Sequence, residues 1–264
     1  MANGDEFKDI YDLARRALEC QAELGHREII FEARSKESPL RSQSDMDSPT
    51  RPVSDPPASF LEAAPIIPEA LCYASLEEHR EAICACTGCP LGYTRTKFVY
   101  GVGHPQAKIM FIGEAPGRDE DLQGEPFVGR AGKLLDKILA ATGFNRQDVY
   151  IANILKCRPP DNRDPQPDEM KACLPYLKEQ IRLIKPSLIC ALGRIASHGL
   201  LETAVPLGKL RGRWHRFAGT PLLVTYHPAA LLRFPEYKRE TWEDMKLLLA
   251  EYERLHGDQQ QTSD

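Results

Sequence analysis

Cys86-Thr87-Gly88-Cys89 places two thiols at a spacing from which one turn can aim both at a single metal. Cys157 and Cys173 stand sixteen residues apart across the Asn- and Pro-rich stretch RPPDNRDPQPDE, so a four-thiol site would gather separated segments. All-thiolate ligation suits either Zn²⁺ or an iron–sulfur cluster, and the spacing leaves the two open. Cys84 is close enough to compete as a ligand, whereas Cys20, Cys72 and Cys190 read as isolated buried thiols.

A second stretch with chemistry in it is GEAPGRDEDLQGEPFVGRAG, residues 113–132, which follows directly on the apolar run KIMFI. Glycine-rich turns after a strand usually cradle phosphate. This one carries five carboxylates, Glu114, Asp119, Glu120, Asp121 and Glu125, and no GK[ST] follows, so a phosphate ligand is disfavoured.

These residues need a frame, and the apolar pattern supplies one. Strands are expected at 108–112, 149–155, 187–193 and 220–226, with helices at 129–143, 167–186, from Arg194, and at 236–254. Strands alternating with helices through short connections predict an α/β fold, a three-layer α/β/α sandwich around a mainly parallel four-stranded sheet. Ligands of such folds bind beyond the carboxyl ends of the strands, which directs attention to the loops GEAPG, NILKCRPP, LG and YHPAALLR.

Four segments are expected: an amphipathic helical segment over 1–34, a Ser/Pro/Asp-rich disordered linker over 35–74, the α/β domain over 75–256 and a disordered tail over 257–264. Phe7, Ile10, Tyr11, Leu13, Ala14, Ala17 and Leu18 recur at helical spacing, which fits either a helix docked on its own domain or a tethered helix that binds a protein partner. The net charge of −4 conceals an uneven spread. Residues 1–80 hold 9 Lys+Arg against 16 Asp+Glu (−7), and residues 81–256 hold 25 against 20 (+5). A basic body permits a polyanionic partner. No 18-residue apolar run occurs and the first 30 residues lack the basic-then-apolar order of a secretion signal, so a cytoplasmic protein without a disulfide framework is expected.

The motifs CTGCPLGYTRT, GEAPGRDEDLQGEPFVGRAGKLLD, VYIANILKCRPPDNRDPQPDE, Cys173 and YHPAALLR occur in this order over residues 86–233. Together they closely resemble the family 4 uracil-DNA glycosylases, bacterial and archaeal enzymes that carry a four-cysteine [4Fe–4S] cluster. The resemblance covers about two-thirds of the chain and nothing before residue 80. It implies a uracil-DNA glycosylase-like sandwich that removes uracil from single- or double-stranded DNA, leaves an abasic site and initiates base excision repair as a monomer. Carried over by residue, it implies cluster ligands Cys86, Cys89, Cys157 and Cys173, with a structural role for the cluster. It implies a uracil pocket of Gly113, Glu114, Ala115, Phe127, Asn153 and His227.

Each pocket residue has a chemical reason. An Asn amide pairs one donor and one acceptor with uracil O4 and N3–H, a pattern that cytosine inverts. Phe127 offers a stacking face to an extruded base. His227 can donate to uracil O2 as charge builds on the leaving base, a task for which a neutral imidazole suffices. Family 1 enzymes carry an Asp that assists water and a Tyr that excludes thymine where this chain has Ala115 and Gly117. Those duties pass elsewhere, with Glu114 or Glu120 the candidate for the water.

Leu231, Leu232 and Arg233 are the expected wedge into the base stack, and Lys209, Arg211 and Arg213 the expected phosphate contacts. No motif positions a lysine as a Schiff-base nucleophile, and RPPDNRDPQPDE lacks the His of a cross-linking relative, so a monofunctional glycosylase is expected. Two other readings compete with it: a non-enzymatic iron–sulfur or zinc nucleic-acid-binding module, and a nucleotide-binding α/β enzyme.

Overall fold

The computed structural model describes residues 73–257. The helical segment expected over 1–34, nearly all of the expected 35–74 linker and the tail from residue 258 lie outside the described residues.

Two short helices, α1 (Leu76–Ile83) and α2 (Leu91–Thr94), precede the sheet. Ser75 starts α1 by accepting from Glu78 N–H with its side chain. Strands β1 (Val102–Gly103), β2 (Ile109–Gly113), β3 (Tyr150–Asn153), β4 (Leu188–Leu192), β5 (Trp214–Phe217) and β6 (Thr220–Thr225) form one six-stranded sheet in the order β1-β3-β2-β4-β6-β5. The inner four, β3, β2, β4 and β6, run parallel, and β1 and β5 close the edges antiparallel.

Every residue of β2, β3 and β4 is buried, which explains why they are apolar up to Asn153 at the end of β3. Alternation along each strand then divides the core in two. Met110, Ile112, Ala152, Ile189, Ala191 and Val224 face one layer, with Tyr176, Leu177 and Ile181 of α5 (Pro167–Ile184). Ile109, Phe111, Ile151, Cys190 and Leu223 face the other, with Leu135 and Leu139 of α4 (Arg130–Ala141) and Met245 and Leu248 of α9 (Tyr237–His256). This is the expected three-layer α/β/α sandwich. Its sheet carries two antiparallel edge strands beyond the four parallel strands read from the sequence.

From β2 the chain moves to one side for β3 and returns to the other for β4, so the strand order reverses at β2. A crevice opens at such a reversal, beyond the carboxyl ends of the strands. Register places Gly113 beside Asn153 there. Around the crevice lie α3 (Arg118–Gln123), α6 (Arg194–Leu201), which follows β4, and α8 (Pro228–Arg233), which follows β6; α7 (Leu207–Leu210) precedes β5.

Candidate active site

A cavity of about 300 Å³ occupies the crevice, and Glu114, Ala115, Phe127, Asn153 and His227 all line it. Gly113 supplies room rather than wall. A Cβ there would collide with Asn153 Oδ1 and come within 2.7 Å of Phe127 Cζ. Asn153 ends β3 at 2% exposure, and its Oδ1 is the buried side-chain atom among the described residues that lacks a hydrogen-bond partner. An orphaned buried acceptor is costly unless a ligand completes it.

Phe127 is buried, yet its φ of 55° lies in the left-handed region that a bulky residue avoids. Neighbours impose that turn. Glu120 Oε1 accepts from Val128 N–H and Gly129 N–H, both at 2.9 Å. Arg146 donates to the Phe127 carbonyl (3.1 Å), to the Pro126 carbonyl, and to Asp136 Oδ1 (3.1 Å). Gly132 is required opposite, since a Cβ there would run into the Phe127 carbonyl.

Glu120 was a candidate for handling water, but the structure gives its carboxylate other work. Besides the two amides after Phe127, its Oε2 accepts from Gly117 N–H (3.1 Å), so one side chain caps α3 and closes the loop from 117 to 129. Glu114 differs. No hydrogen bond to its carboxylate forms among the described residues. Burial, with a smaller contribution from Asp164, pushes its pKa up to about 7, while Arg194, ion-paired with Asp164 at 2.6 Å, opposes the rise. Glu114 is the cavity carboxylate able to exchange a proton near neutrality.

His227 caps α8, its Nδ1 accepting from Ala229 N–H (3.1 Å). The proton therefore resides on Nε2, which is left as a donor. Burial, aided by Arg233, lowers the imidazole pKa to about 4, so the ring is neutral at physiological pH. Gly193, at φ 89°, makes room for it, since a Cβ would lie 2.8 Å from His227 Cβ.

Of the expected wedge, Leu231 is only 1% exposed, because the first turn of α8 directs it into the fold; Leu232 is 40% exposed and Arg233 stands at the cavity mouth. Of the three residues expected to form the wedge, Leu232 and Arg233 are the exposed ones, with exposed Phe234 beside them. Among the expected phosphate contacts, Lys209 lies on α7 and Arg213 immediately precedes β5. Arg211 is committed inward: it donates to Asp244 Oδ1 (2.7 Å) and Oδ2 (3.1 Å) and to the Glu240 carbonyl (2.6 Å), and it lies over the Tyr226 ring. That is a structural ion pair, since Asp244 is itself fully buried.

The four expected cysteine ligands come from three parts of the chain: Cys86 and Cys89 between α1 and α2, Cys157 after β3, and Cys173 on α5. They lie near enough to feel one another, Cys157 sensing Cys89 and Cys86, and Cys173 sensing Cys157 and Cys89. Donors address the sulfurs. Tyr176 Oη (3.1 Å) and Gly88 N–H (3.3 Å) donate to Cys86, Arg95 Nη1 (3.4 Å) to Cys157 and Lys156 N–H (3.3 Å) to Cys173. Burial pushes Cys157 up to about 11 and Cys173 up to about 12, so these thiolates form only with a compensating positive charge. Among the described residues, no three His, Cys, Asp or Glu side chains are gathered as around a single metal ion. Cys84, exposed, donates instead to the Glu81 carbonyl (3.3 Å), and Cys190 is core in β4.

Sequence reading passed over Arg146, Lys156 and Asn162. Asn162 lines the cavity at a left-handed φ of 55°, its Oδ1 accepting from Arg158 Nε (2.8 Å), which leaves its amide N–H groups as donors. Lys156 has 0% exposure; burial lowers its pKa to about 8, against the opposing influence of Cys173 and Cys157. Arg146 and Lys156 read as ordinary solvated charges in sequence; only the consecutive Asp161-Asn162 turn formers hinted at a special backbone.

Residues 100–246 match the model of the uracil DNA glycosylase superfamily. The chain is 44% identical over 182 residues to a type-4 uracil-DNA glycosylase of Archaeoglobus fulgidus, covering 65% of this chain and 90% of that protein. It is 44% identical over 172 residues to the type-4 uracil-DNA glycosylase of Thermotoga maritima, covering 63% and 88%. A type-5 uracil-DNA glycosylase of Thermus thermophilus is 31% identical over 183 residues, covering 60% and 80%.

Proposed function

The chain belongs to the type-4 family of the uracil-DNA glycosylase superfamily, and from that premise we propose that it hydrolyses the N-glycosidic bond of uracil in DNA, leaving an abasic site for base excision repair. The observation that carries the reading is the unpartnered Asn153 Oδ1, buried in the cavity wall beside the Phe127–His227 stack. An amide there accepts from uracil N3–H and donates to O4; cytosine offers the reverse and leaves both groups unsatisfied.

A base swung out of the helix enters a cavity whose flat wall is Phe127. His227 presents Nε2–H to O2 and, being neutral, strengthens its hydrogen bond as the departing uracil gains negative charge. Glu114, once ionised, holds the attacking water and its charge favours the sugar cation; Asn162 faces the same space with free amide donors. Among the described residues lining the cavity none is lysine, which supports a monofunctional enzyme with no lyase step.

Cys86, Cys89, Cys157 and Cys173 fit a cluster through their all-sulfur donor set and the N–H and O–H groups aimed at them. Once bound, a [4Fe–4S] cluster supplies a positive core that stabilises four thiolates and ties α1, α5 and the 157–166 loop to the sheet. Leu232 and Arg233 enter the duplex in place of the base, and Lys209 and Arg213 contact phosphate. We place the enzyme in the cytoplasm as a monomer, where reducing conditions keep the ligand thiols free. Among the described residues no helix is long and apolar enough to cross a membrane. The partner-binding helix over 1–34 remains a proposal from sequence alone.

The test is incubation of purified protein with single- and double-stranded oligonucleotides bearing one uracil, followed by alkali. Strand scission at that uracil is expected. An intact strand with a coloured, folded protein defeats the reading in favour of a non-enzymatic binding module.

A further inference from the structure

Lys156 stands between the two halves of this site. Its ammonium donates to the main-chain carbonyl of Asn153 (2.9 Å) and to Gln180 Oε1 (2.6 Å), while its own main-chain N–H donates to Cys173 Sγ (3.3 Å). Gln180 is equally buried and is fixed in turn by donating to the Tyr100 carbonyl (2.9 Å). One residue thus holds the main chain of the base-reading amide with its side chain and a cysteine sulfur with its backbone.

A lysine fully removed from water needs an opposing charge. No carboxylate among the described residues forms an ion pair with it. Two of the four cysteines adjoin it: Cys157 follows it in the chain, and the Cys173 sulfur accepts from its main-chain N–H (3.3 Å). Protonated thiols give it nothing; thiolates around a metal cluster do. Loading the cysteines therefore supplies the opposing charge that the buried ammonium, and through it the grip on the Asn153 carbonyl, otherwise lacks.

We infer that Lys156 is the counter-charge of the four-cysteine group and, through its grip on the Asn153 carbonyl, a positioning residue that makes uracil reading depend on that group being loaded. The inference rests on the function proposed above.

Lys156→Met approximates the side-chain length but removes the charge and both side-chain hydrogen bonds. Iron content, visible absorbance, thermal unfolding, midpoint potential and uracil excision are to be measured on purified holoprotein. The variant is expected to retain iron, to show a more negative midpoint potential because an added electron loses a nearby positive charge, and to lose at least about tenfold in kcat/KM, the worth of one charge-assisted hydrogen bond. An unchanged potential in a folded, iron-loaded variant overturns the inference, as does a wild-type protein that holds zinc instead of iron.

If Lys156→Met does not fold, the wild-type protein carries the test. Coupling between two sites is reciprocal, so saturating free uracil is expected to shift the potential while cytosine does not. No shift overturns the inference. Failure of the functional reading looks different, because wild-type protein would then leave uracil in place; failure of the coupling alone leaves wild-type excision intact.

Discussion

The Phe127 ring lies against the His227 imidazole, centroids 5.4 Å apart and planes inclined by 30°, although Phe127 reaches this position only through a left-handed φ of 55°. Such a backbone costs about 1–3 kcal/mol and persists only where the surroundings impose it. The ring is therefore placed to present a face. Phe127→Leu keeps the apolar filling and loses that face. Steady-state excision should show KM raised about tenfold with kcat little changed, since base stacking is worth about 1–3 kcal/mol. An unchanged KM would mean that the ring is core and nothing more.

Glu120 acts on the same wall from behind. Its carboxylate accepts from three amides, Gly117, Val128 and Gly129. Glu120→Ala releases both ends of the loop, so it should resemble Phe127→Leu in its raised KM while keeping the wild-type pH profile. A loss confined to kcat, with a flattened profile, would return Glu120 to the water-handling role that its position in sequence suggested.

Glu114 should set that profile. Its carboxyl titrates near pH 7 in the folded protein against an ordinary value of 4.5, so excision is expected to rise as pH passes through about 7. His227 contributes nothing to this limb, because its imidazole, lowered to about 4, is already neutral. The stability consequence has the opposite sign. A raised carboxyl pKa means that the folded state holds the extra proton between about 4.5 and 7, so this group makes stability fall as pH rises through that window. Glu114→Gln should cut kcat and flatten the profile, yet unfold at a higher temperature than wild type at pH 8.5. Thermal scans at pH 5.5 and 8.5 check this, and a variant no more stable at the higher pH would contradict it.

How much of this was legible in sequence follows from burial. β2 and β4 announce themselves because both faces are covered and every residue is apolar. β5 does not: Trp214 is 38% exposed and its neighbours are His215 and Arg216, so an edge strand read as a basic turn. The α3 helix has only six residues, held by the Glu120 carboxylate rather than by any apolar stripe, and stayed hidden in the glycine-rich loop. Asn153 and His227 were readable through the family resemblance, Asn153 at the end of β3 and His227 on the loop after β6. Lys156 and Arg146 were not, since nothing in NILKC or FNRQD distinguishes a buried or clamping cation from a solvated one. Leu231 and Leu232 differ by one helical step, and only the orientation of α8 decides which is free.

Arg211 separates a structural cation from a DNA-binding one. Replacing it with Met strands the carboxylate of Asp244, which is 0% exposed and among the described residues otherwise keeps only the Thr225 hydroxyl (2.7 Å). Breaking one side of a buried pair costs about 3–5 kcal/mol. Arg211→Met should therefore unfold at markedly lower denaturant while the folded fraction binds DNA with an unchanged salt slope. Lys209→Ala and Arg213→Ala should do the reverse, each reducing the slope of log K against log salt by about 1 with stability intact. A reduced slope in Arg211→Met would restore it to the phosphate contacts.

The cysteines make the sharpest stability prediction, because three segments of the chain meet at them. Cys86 and Cys89 lie between α1 and α2, Cys157 in the loop after β3, and Cys173 within α5. Tyr176, Arg95 and the Lys156 amide all aim donors at sulfur, Arg95 donating also to the Cys86 and Cys84 carbonyls. With Cys157 and Cys173 protonated, as burial favours, the Arg95 and Lys156 donors face weak acceptors. Cys173→Ser should then abolish the brown colour expected of a loaded iron–sulfur cluster and lower the unfolding temperature well beyond a single lost contact, whereas Cys190→Ser should cost packing alone and Cys84→Ser nothing measurable. Absorbance and calorimetry on the three variants decide it. Colour retained in Cys173→Ser and lost in Cys84→Ser would reassign the fourth ligand.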